Sequence, residues 1–212
     1  MSQSIARALL EIDAVGFLPD QPIRFKSGIL SPVYVDNRKL PYHPQQWSTV
    51  IEGLRELVTQ RDLRSDVIAG VAMGGVPHSA ALAYTLKRPS VFIRKEAKEH
   101  GKGQRIEGGS VVNQRVLLVE DLVTTGGSSL SAVGALREAE AICQDMLAIV
   151  SYDFAEAQTH CDAAHVTLHT LTNFTMIMQE AIAMKKLTVG QHSIVEAWFS
   201  DPYAWTEKQQ RS

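Results

Sequence analysis

Apolar residues change spacing along the chain, and those changes mark out the elements. Ile5, Leu9 and Ile12 recur at helical intervals, so Ser4 to Val15 is predicted as an amphipathic first helix. From Phe17 to Lys39 the pattern breaks into short β-like pieces interrupted by Gly28, Ser31-Pro32 and Asp36-Asn37. Helical spacing returns through Val50, Leu54 and Leu57 between Pro44 and Gln60. Asp66 to Gly70 is a short buried strand, followed by a tight turn, Val71 to Pro77, and a helix from His78 to Leu86. Ser90 to Arg94 is the next strand. Lys95 to Ser110 is nearly devoid of apolar residues, which predicts a functional lid or a disordered segment. An apolar run from Val116 to Val119 then meets two acids, and Leu130 onward is helical. Met146 to Tyr152 is a further strand. Strands alternating with helices predict an α/β fold with a parallel sheet and right-handed crossovers.

Composition narrows the class. With 212 residues, 45% hydrophobic and 21% charged, and no repeat or linker, one domain over 1–212 with a substantial core is expected. A formal net charge of -2 argues against a bulk nucleic-acid binder. No apolar run approaches the roughly 20 residues of a membrane span. The segment Met1-Ser-Gln-Ser-Ile-Ala-Arg7 lacks the hydrophobic core of a signal peptide. Cys143 and Cys161 are too few for a disulfide framework, so the expectation is a reducing cytoplasm.

The chemistry concentrates in Val116-Leu-Leu-Val-Glu-Asp-Leu-Val-Thr-Thr-Gly-Gly-Ser-Ser129. A buried parallel strand leads to a Thr-Gly-Ser turn before a helix. Such a turn offers free N–H groups, hydroxyls and the positive end of a dipole, a combination that suits phosphate. Carboxylates repel phosphate, so Glu120 and Asp121 are placed instead for sugar hydroxyls and for positive charge developing on the sugar. Phosphate and sugar together suggest a phosphorylated ribose.

Three other segments add to this. Gly74 and Gly75, in the loop from Gly70 to Val76, permit close backbone approach to a diphosphate. Arg94-Lys-Glu-Ala-Lys-Glu-His100-Gly101 gathers cations that can neutralise a highly charged anion, and His100 has a side chain able to donate a proton. Phe25 to Arg38 is, by composition, only a strand and turn. His160-Cys161, His165 and His169 invite a metal reading, but four residues along a strand span about 13 Å, too far for one ion. The chain has no Gly-x-x-x-x-Gly-Lys-Ser/Thr, which removes a P-loop kinase. Trp198 and Trp205 are expected to pack rather than to stack on bases.

The stretch around Glu120 resembles the phosphoribosyl-diphosphate motif of the type I phosphoribosyltransferases. Arg94-Lys95, Lys98 and His100-Gly101 resemble the mobile loop of the orotate phosphoribosyltransferases, and Phe25 to Arg38 resembles their base-binding segment. The resemblance runs from Phe25 to about Ser129, in the family's order. It implies a central parallel sheet with a small hood, mainly from 1–60 with a C-terminal contribution. The implied reaction joins orotate to 5-phosphoribosyl 1-diphosphate (PRPP), giving orotidine 5'-monophosphate and diphosphate in pyrimidine synthesis.

The resemblance also implies roles. Leu122, Val123, Thr124, Thr125, Gly126, Gly127, Ser128 and Ser129 hold PRPP, with the 5'-phosphate at Thr124 to Ser129. Glu120 and Asp121 hold the ribose hydroxyls, and Arg94, Lys95, Lys98 and His100 hold the departing diphosphate. Lys98, His100 and Asp121 are the catalytic set, and Lys26, Tyr34 and Thr124 meet orotate. Mg²⁺ is carried through PRPP and water without direct protein ligands, and the partner is a second copy in a homodimer with shared active sites. No nucleic acid or membrane enters. Many members have an Arg where this chain has Tyr152 to Ala155, and a Lys where it has Met73-Gly74. Arg38 and backbone N–H groups are the candidates for the orotate carboxylate. Two alternatives are a phosphoribosyltransferase for another base and a non-enzymatic regulator that senses PRPP or binds RNA.

Overall fold

The computed structural model describes residues 1–25, 27–96 and 105–211. Lys26, Lys98 and His100 therefore lie outside the described residues.

Helix α1 (Ser2–Glu11) is shorter than its spacing predicts: Asp13 takes a left-handed φ of 50°, and Val15 already begins strand β1 (Val15–Phe17). Aspartate tolerates that conformation, which lets the chain turn off the helix. Strands β2 (Ile23–Arg24) and β3 (Leu30–Ser31) form a hairpin, while β4 (Val33–Val35) pairs antiparallel with β1. These short pieces and the 3₁₀ turn Asn37–Tyr42 make the hood. Helix α2 (Pro44–Gln60) coincides with its expected span; Pro44 sits at the first helical position, where the missing N–H costs nothing.

The main sheet follows: β5 (Val67–Val71), α3 (Gly75–Leu86), β6 (Ser90–Ile93), β7 (Ile106–Glu107), β8 (Val116–Val123), α4 (Gly127–Glu138), β9 (Asp145–Ser151), α5 (Ala155–Ala163) and β10 (Thr167–Asn173). Helices α6 (Phe174–Ala183), α7 (Val189–Ser200) and α8 (Pro202–Arg211) close the chain. The six strands lie in the order β10-β9-β8-β5-β6-β7, parallel except for β7. Two boundaries differ from the sequence pattern. Helix α3 begins at Gly75 rather than His78, because Pro77 falls in a first turn that needs no N–H from it. Strand β8 continues past the acids to Val123, paired with Ser151 of β9, so Glu120 and Asp121 are on the strand rather than beyond it.

Strand β8 shows why the sheet is buried on both faces. Leu117 and Val119 join the core under α1, α2 and α3, whereas Val116 and Leu118 join the core under α4 and α5. Each such side chain contributes about 1.5–3 kcal/mol by leaving water. Leu118→Ala would cost about 2–5 kcal/mol. The strand order reverses between β5 and β8, since β6 lies on one side of β5 and β8 on the other. Open α/β sheets bind ligands at the carboxyl ends of strands flanking such a reversal. The turns after β5 and β8 face each other there.

Candidate active site

A cleft of about 680 Å³ opens at that reversal, floored by the turns after β5 and β8 and walled by the hood. On the β8 side, Gly126 holds a left-handed φ of 82° that lets Thr124-Thr125-Gly126 turn sharply into α4. The unpaired N–H groups of Gly127, Ser128 and Ser129 thus lie at the positive end of the helix. His160 of α5 braces the turn, its Nδ1 3.0 Å from the carbonyl of Thr125. His169 instead pairs with Asp145 at 2.8 Å, and His165 occupies a left-handed turn, so each histidine has its own local place. Among the described residues, no three metal-ligating side chains gather.

The two acids occupy different surroundings. Glu120 is only 4% exposed, and its Oε2 accepts from Ser128 Oγ at 3.3 Å and Ser129 Oγ at 3.2 Å. Its Oε1 accepts the N–H of Asp121 at 3.2 Å. Burial, and then neighbouring Asp121, pushes its carboxyl well above the usual range, which favours the neutral acid. Asp121 is half-buried beside the turn after β5; a Cβ on Gly74 would overlap its carboxylate. Only glycine lets that turn pass the acid so closely.

The opposite wall comes from the hood. Ile23, Arg24, Phe25 and Ser27 of the β2–β3 hairpin line it, with Tyr34, Asp36 and Arg38 below. Arg38 donates through Nε to Asp36 Oδ1 at 2.6 Å and through Nη2 to Tyr34 Oη at 2.7 Å. That hydrogen bond holds the Asp36 carboxyl below its ordinary range, so the pair is neutral overall while keeping Arg38 at the cleft. Lys95 lines the cleft, but Arg94 does not; its Nη1 lies 3.3 Å from Glu107 of β7. The Arg94 N–H also bonds to the Arg105 carbonyl at 2.8 Å, which brings together the two ends of the intervening segment.

Of the residues singled out from sequence, the structure brings Tyr34, Lys95 and Glu120 to Ser129 around one cleft. It also shows contacts that local sequence did not suggest. Asn37 is fully buried and donates to the Asp121 carbonyl at 2.7 Å. Fully buried His78 accepts at Nδ1 from Trp47 Nε1 at 3.0 Å, and Asp121 is among the groups acting on its charge. Neither had a local signal: Asn37 sits between two charged residues, and His78 sits in an otherwise small and apolar helix. Tyr152 opens the segment to Ala155 where the family resemblance implied an Arg; its ring is fully buried between Phe25, Phe154, Phe174 and Trp198, and burial raises its hydroxyl pKa.

The arrangement can seat an anion at the start of α4, present a carboxylate at Asp121 and stack a planar group between hood and floor. The phosphoribosyl transferase domain family matches residues 44–174 of the chain. An orotate phosphoribosyltransferase of Coxiella burnetii is 38% identical over 201 residues, covering 95% of this chain and 96% of that protein. The orotate phosphoribosyltransferase of Bacillus pumilus is 37% identical over 210 residues, covering 98% and 99%. Among solved structures, the orotate phosphoribosyltransferase from Aeropyrum pernix superposes with a TM-score of 0.75 at 29% identity, over 84% of this chain and 98% of that one. The UMP synthase of Leishmania donovani shares the fold, with a TM-score of 0.81 at 24% identity, over 94% of this chain but 42% of that longer one.

Proposed function

The chain belongs to the orotate phosphoribosyltransferase family, and on that premise we propose that its cleft carries PRPP along Thr124 to Ser129 and orotate beneath the β2–β3 hairpin. It transfers the 5-phosphoribosyl group of PRPP to orotate, giving orotidine 5'-monophosphate and diphosphate, a step of pyrimidine synthesis. The observation that carries the reading is an anion-seating helix start and a half-buried acid on the β8 side of one cleft, facing the hood.

The 5'-phosphate sits on the N–H groups of Gly127 to Ser129, where the helix dipole and unpaired donors favour negative charge. Asp121, beside Gly74, accepts from the ribose hydroxyls and stabilises positive charge as the bond from C1 to diphosphate loosens. The orotate ring nitrogen attacks the opposite face of C1. Glu120 has a different part from the one its motif position suggests: tied to Ser128 and Ser129, it fixes the phosphate turn from below. Tyr34 and Phe25 flank the ring, with Thr124 at its edge and Arg38 as the cation for the orotate carboxylate. Lys95 meets the diphosphate from the cleft wall. Lys98, His100 and Lys26 keep the roles that the family resemblance implies, with Lys98 and His100 stabilising the leaving group.

The donor set fits Mg²⁺ delivered by the substrate. Asp36 is taken up by Arg38 and Glu120 by the serines, and no cage of three ligands forms among the described residues. Carried in with PRPP, Mg²⁺ would supply charge neutralisation to the leaving group. We further place the enzyme in the cytoplasm as a homodimer with shared sites. The thiols of Cys143 and Cys161, free and buried, agree with a reducing compartment, and no helix among the described residues is long and apolar enough to cross a membrane.

The test follows orotate by its ultraviolet absorbance with PRPP and Mg²⁺ present. Formation of orotidine 5'-monophosphate is expected; release of diphosphate only with another base would overturn the choice of orotate.

A further inference from the structure

Leu30 of β3 has both of its main-chain polar groups captured by the C-terminal helices. Its N–H donates to Thr206 Oγ1 of α8 at 2.9 Å, and its carbonyl accepts from Trp198 Nε1 of α7 at 2.7 Å. These groups point away from β2, whose own bond to the hairpin runs from the Phe25 N–H to the Ile29 carbonyl at 2.8 Å. The hairpin is too short to hold its shape alone, since isolated two-stranded hairpins are marginal in water. Thr206 is nearly buried and Trp198 fully so, and the Trp198 ring also meets Phe25 edge-on at 6.3 Å. Phe25 lines the cleft on the hood side. The helices α7 and α8 lie beyond residue 174, where the matched domain ends.

We propose that Thr206 and Trp198 are positioning residues for the base: they clasp the outer edge of β3 and so set the height of Phe25 and its hairpin over the orotate site. This rests on the reading that orotate binds beneath the hairpin. The phosphate turn hangs from β8 and α4 and meets the clasp only indirectly, through Trp198 against Phe154 at the start of α5 and His160 of α5 at Thr125, so loosening the Thr206 bond bears on the base more than on the phosphate.

Thr206→Val keeps the shape and removes the hydroxyl, leaving the Leu30 N–H without its acceptor. The KM for orotate is expected to rise on the order of tenfold, the cost of one unpaired, partly buried donor, with the KM for PRPP changed less than about twofold. Thr206→Ser should restore the orotate KM, and Trp198→Phe, which keeps an aromatic ring but loses the N–H, should reproduce the Thr206→Val effect. Faster hydrogen exchange of the hairpin amides, with sheet amides unchanged, should accompany the rise. Equal changes in both KM values, or failure of Thr206→Ser to rescue, would overturn the clasp. Should the wild-type enzyme use a different base, the same split is read on that base's KM, so failure of the orotate assignment and failure of the clasp remain distinct.

Discussion

The side-chain amide of Asn37 donates to the main-chain carbonyl of Asp121 at 2.7 Å, joining the hood to the acid-bearing end of β8. Asn37 is fully buried, and its neighbours Asp36 and Arg38 point into the cleft. One bond therefore ties the hood wall of the cleft to strand β8.

Asn37→Ala removes the donor and leaves the Asp121 carbonyl short of a partner. A stability loss of about 1–3 kcal/mol is expected from the unpaired buried group. The kcat/KM for PRPP should fall on the order of tenfold as the acid loses its register. Thermal melting beside steady-state kinetics checks both; a loss of stability with unchanged kinetics would remove the registering role.

Gly74 and Gly75 are adjacent yet should fail differently. A Cβ on Gly74 would strike the Asp121 carboxylate, the mobile end of a side chain, whereas a Cβ on Gly75 would strike the main-chain carbonyl of Val119. Gly74→Ala should leave the fold nearly intact and displace the acid, lowering kcat/KM on the order of a hundredfold. Gly75→Ala should instead lower the melting temperature by wedging α3 from β8, at about 1–3 kcal/mol. Matching effects on stability would contradict this division.

His78 predicts a pH dependence. Trp47 Nε1 is only a donor, so Nδ1 of His78 accepts and the neutral ring carries its proton on Nε2. Burial lowers its pKa to about 4 from the ordinary 6.5, with Asp121 opposing that shift. The unfolded chain then binds a proton that the folded one refuses, so stability is full above about pH 6.5 and falls as pH drops toward 4. About 2 kcal/mol should be gone by pH 5. Glu120, whose carboxyl is raised, acts in the opposite sense. The comparison is therefore between wild type and His78→Gln, which keeps an acceptor for Trp47. Urea midpoints between about pH 7 and pH 5 should fall further in wild type.

The sheet was legible because its strands are apolar on both faces: β5, β8 and β9 appear as continuous runs, and α2 as regular spacing between recognisable ends. Strand β7, two residues long, gives no period to detect, and its place is set by pairing with β6 across the segment between them. The C-terminal helices escaped notice apart from Trp198 and Trp205, because among its described side chains α7 buries only Val195 and Trp198 and so shows no apolar stripe. In the site, the turn from Thr124 to Gly126 was readable because its hydroxyl and glycine residues break the apolar strand before α4 opens. Asn37, His78 and Thr206 were not, since each acts through a partner more than thirty residues away.

Lys98 rests on resemblance alone, and its role yields a kinetic expectation. A cation that meets charge developing on the leaving diphosphate acts mainly in the transition state. Lys98→Ala should lower kcat strongly and leave orotate affinity nearly intact, whereas equal losses in binding and turnover would assign it to ground-state binding.

The acid pair gives the sharpest separation. Sequence position treats Glu120 and Asp121 as equivalent holders of ribose, but their surroundings do not: one is closed in by two serine hydroxyls and favours the neutral form, while the other abuts the Gly74 turn. With burial pushing its carboxyl toward the neutral form, Glu120 is the acid that Gln mimics better, and the serine hydroxyls can rotate to satisfy either oxygen or nitrogen. Glu120→Gln should therefore keep kcat/KM within about tenfold of wild type. Asp121→Asn removes the charge that faces the forming cation and should lose on the order of a hundred- to a thousandfold in kcat. If Glu120→Gln is as damaging as Asp121→Asn, both acids bear on the ribose and the buried carboxyl must ionise and turn outward when PRPP binds.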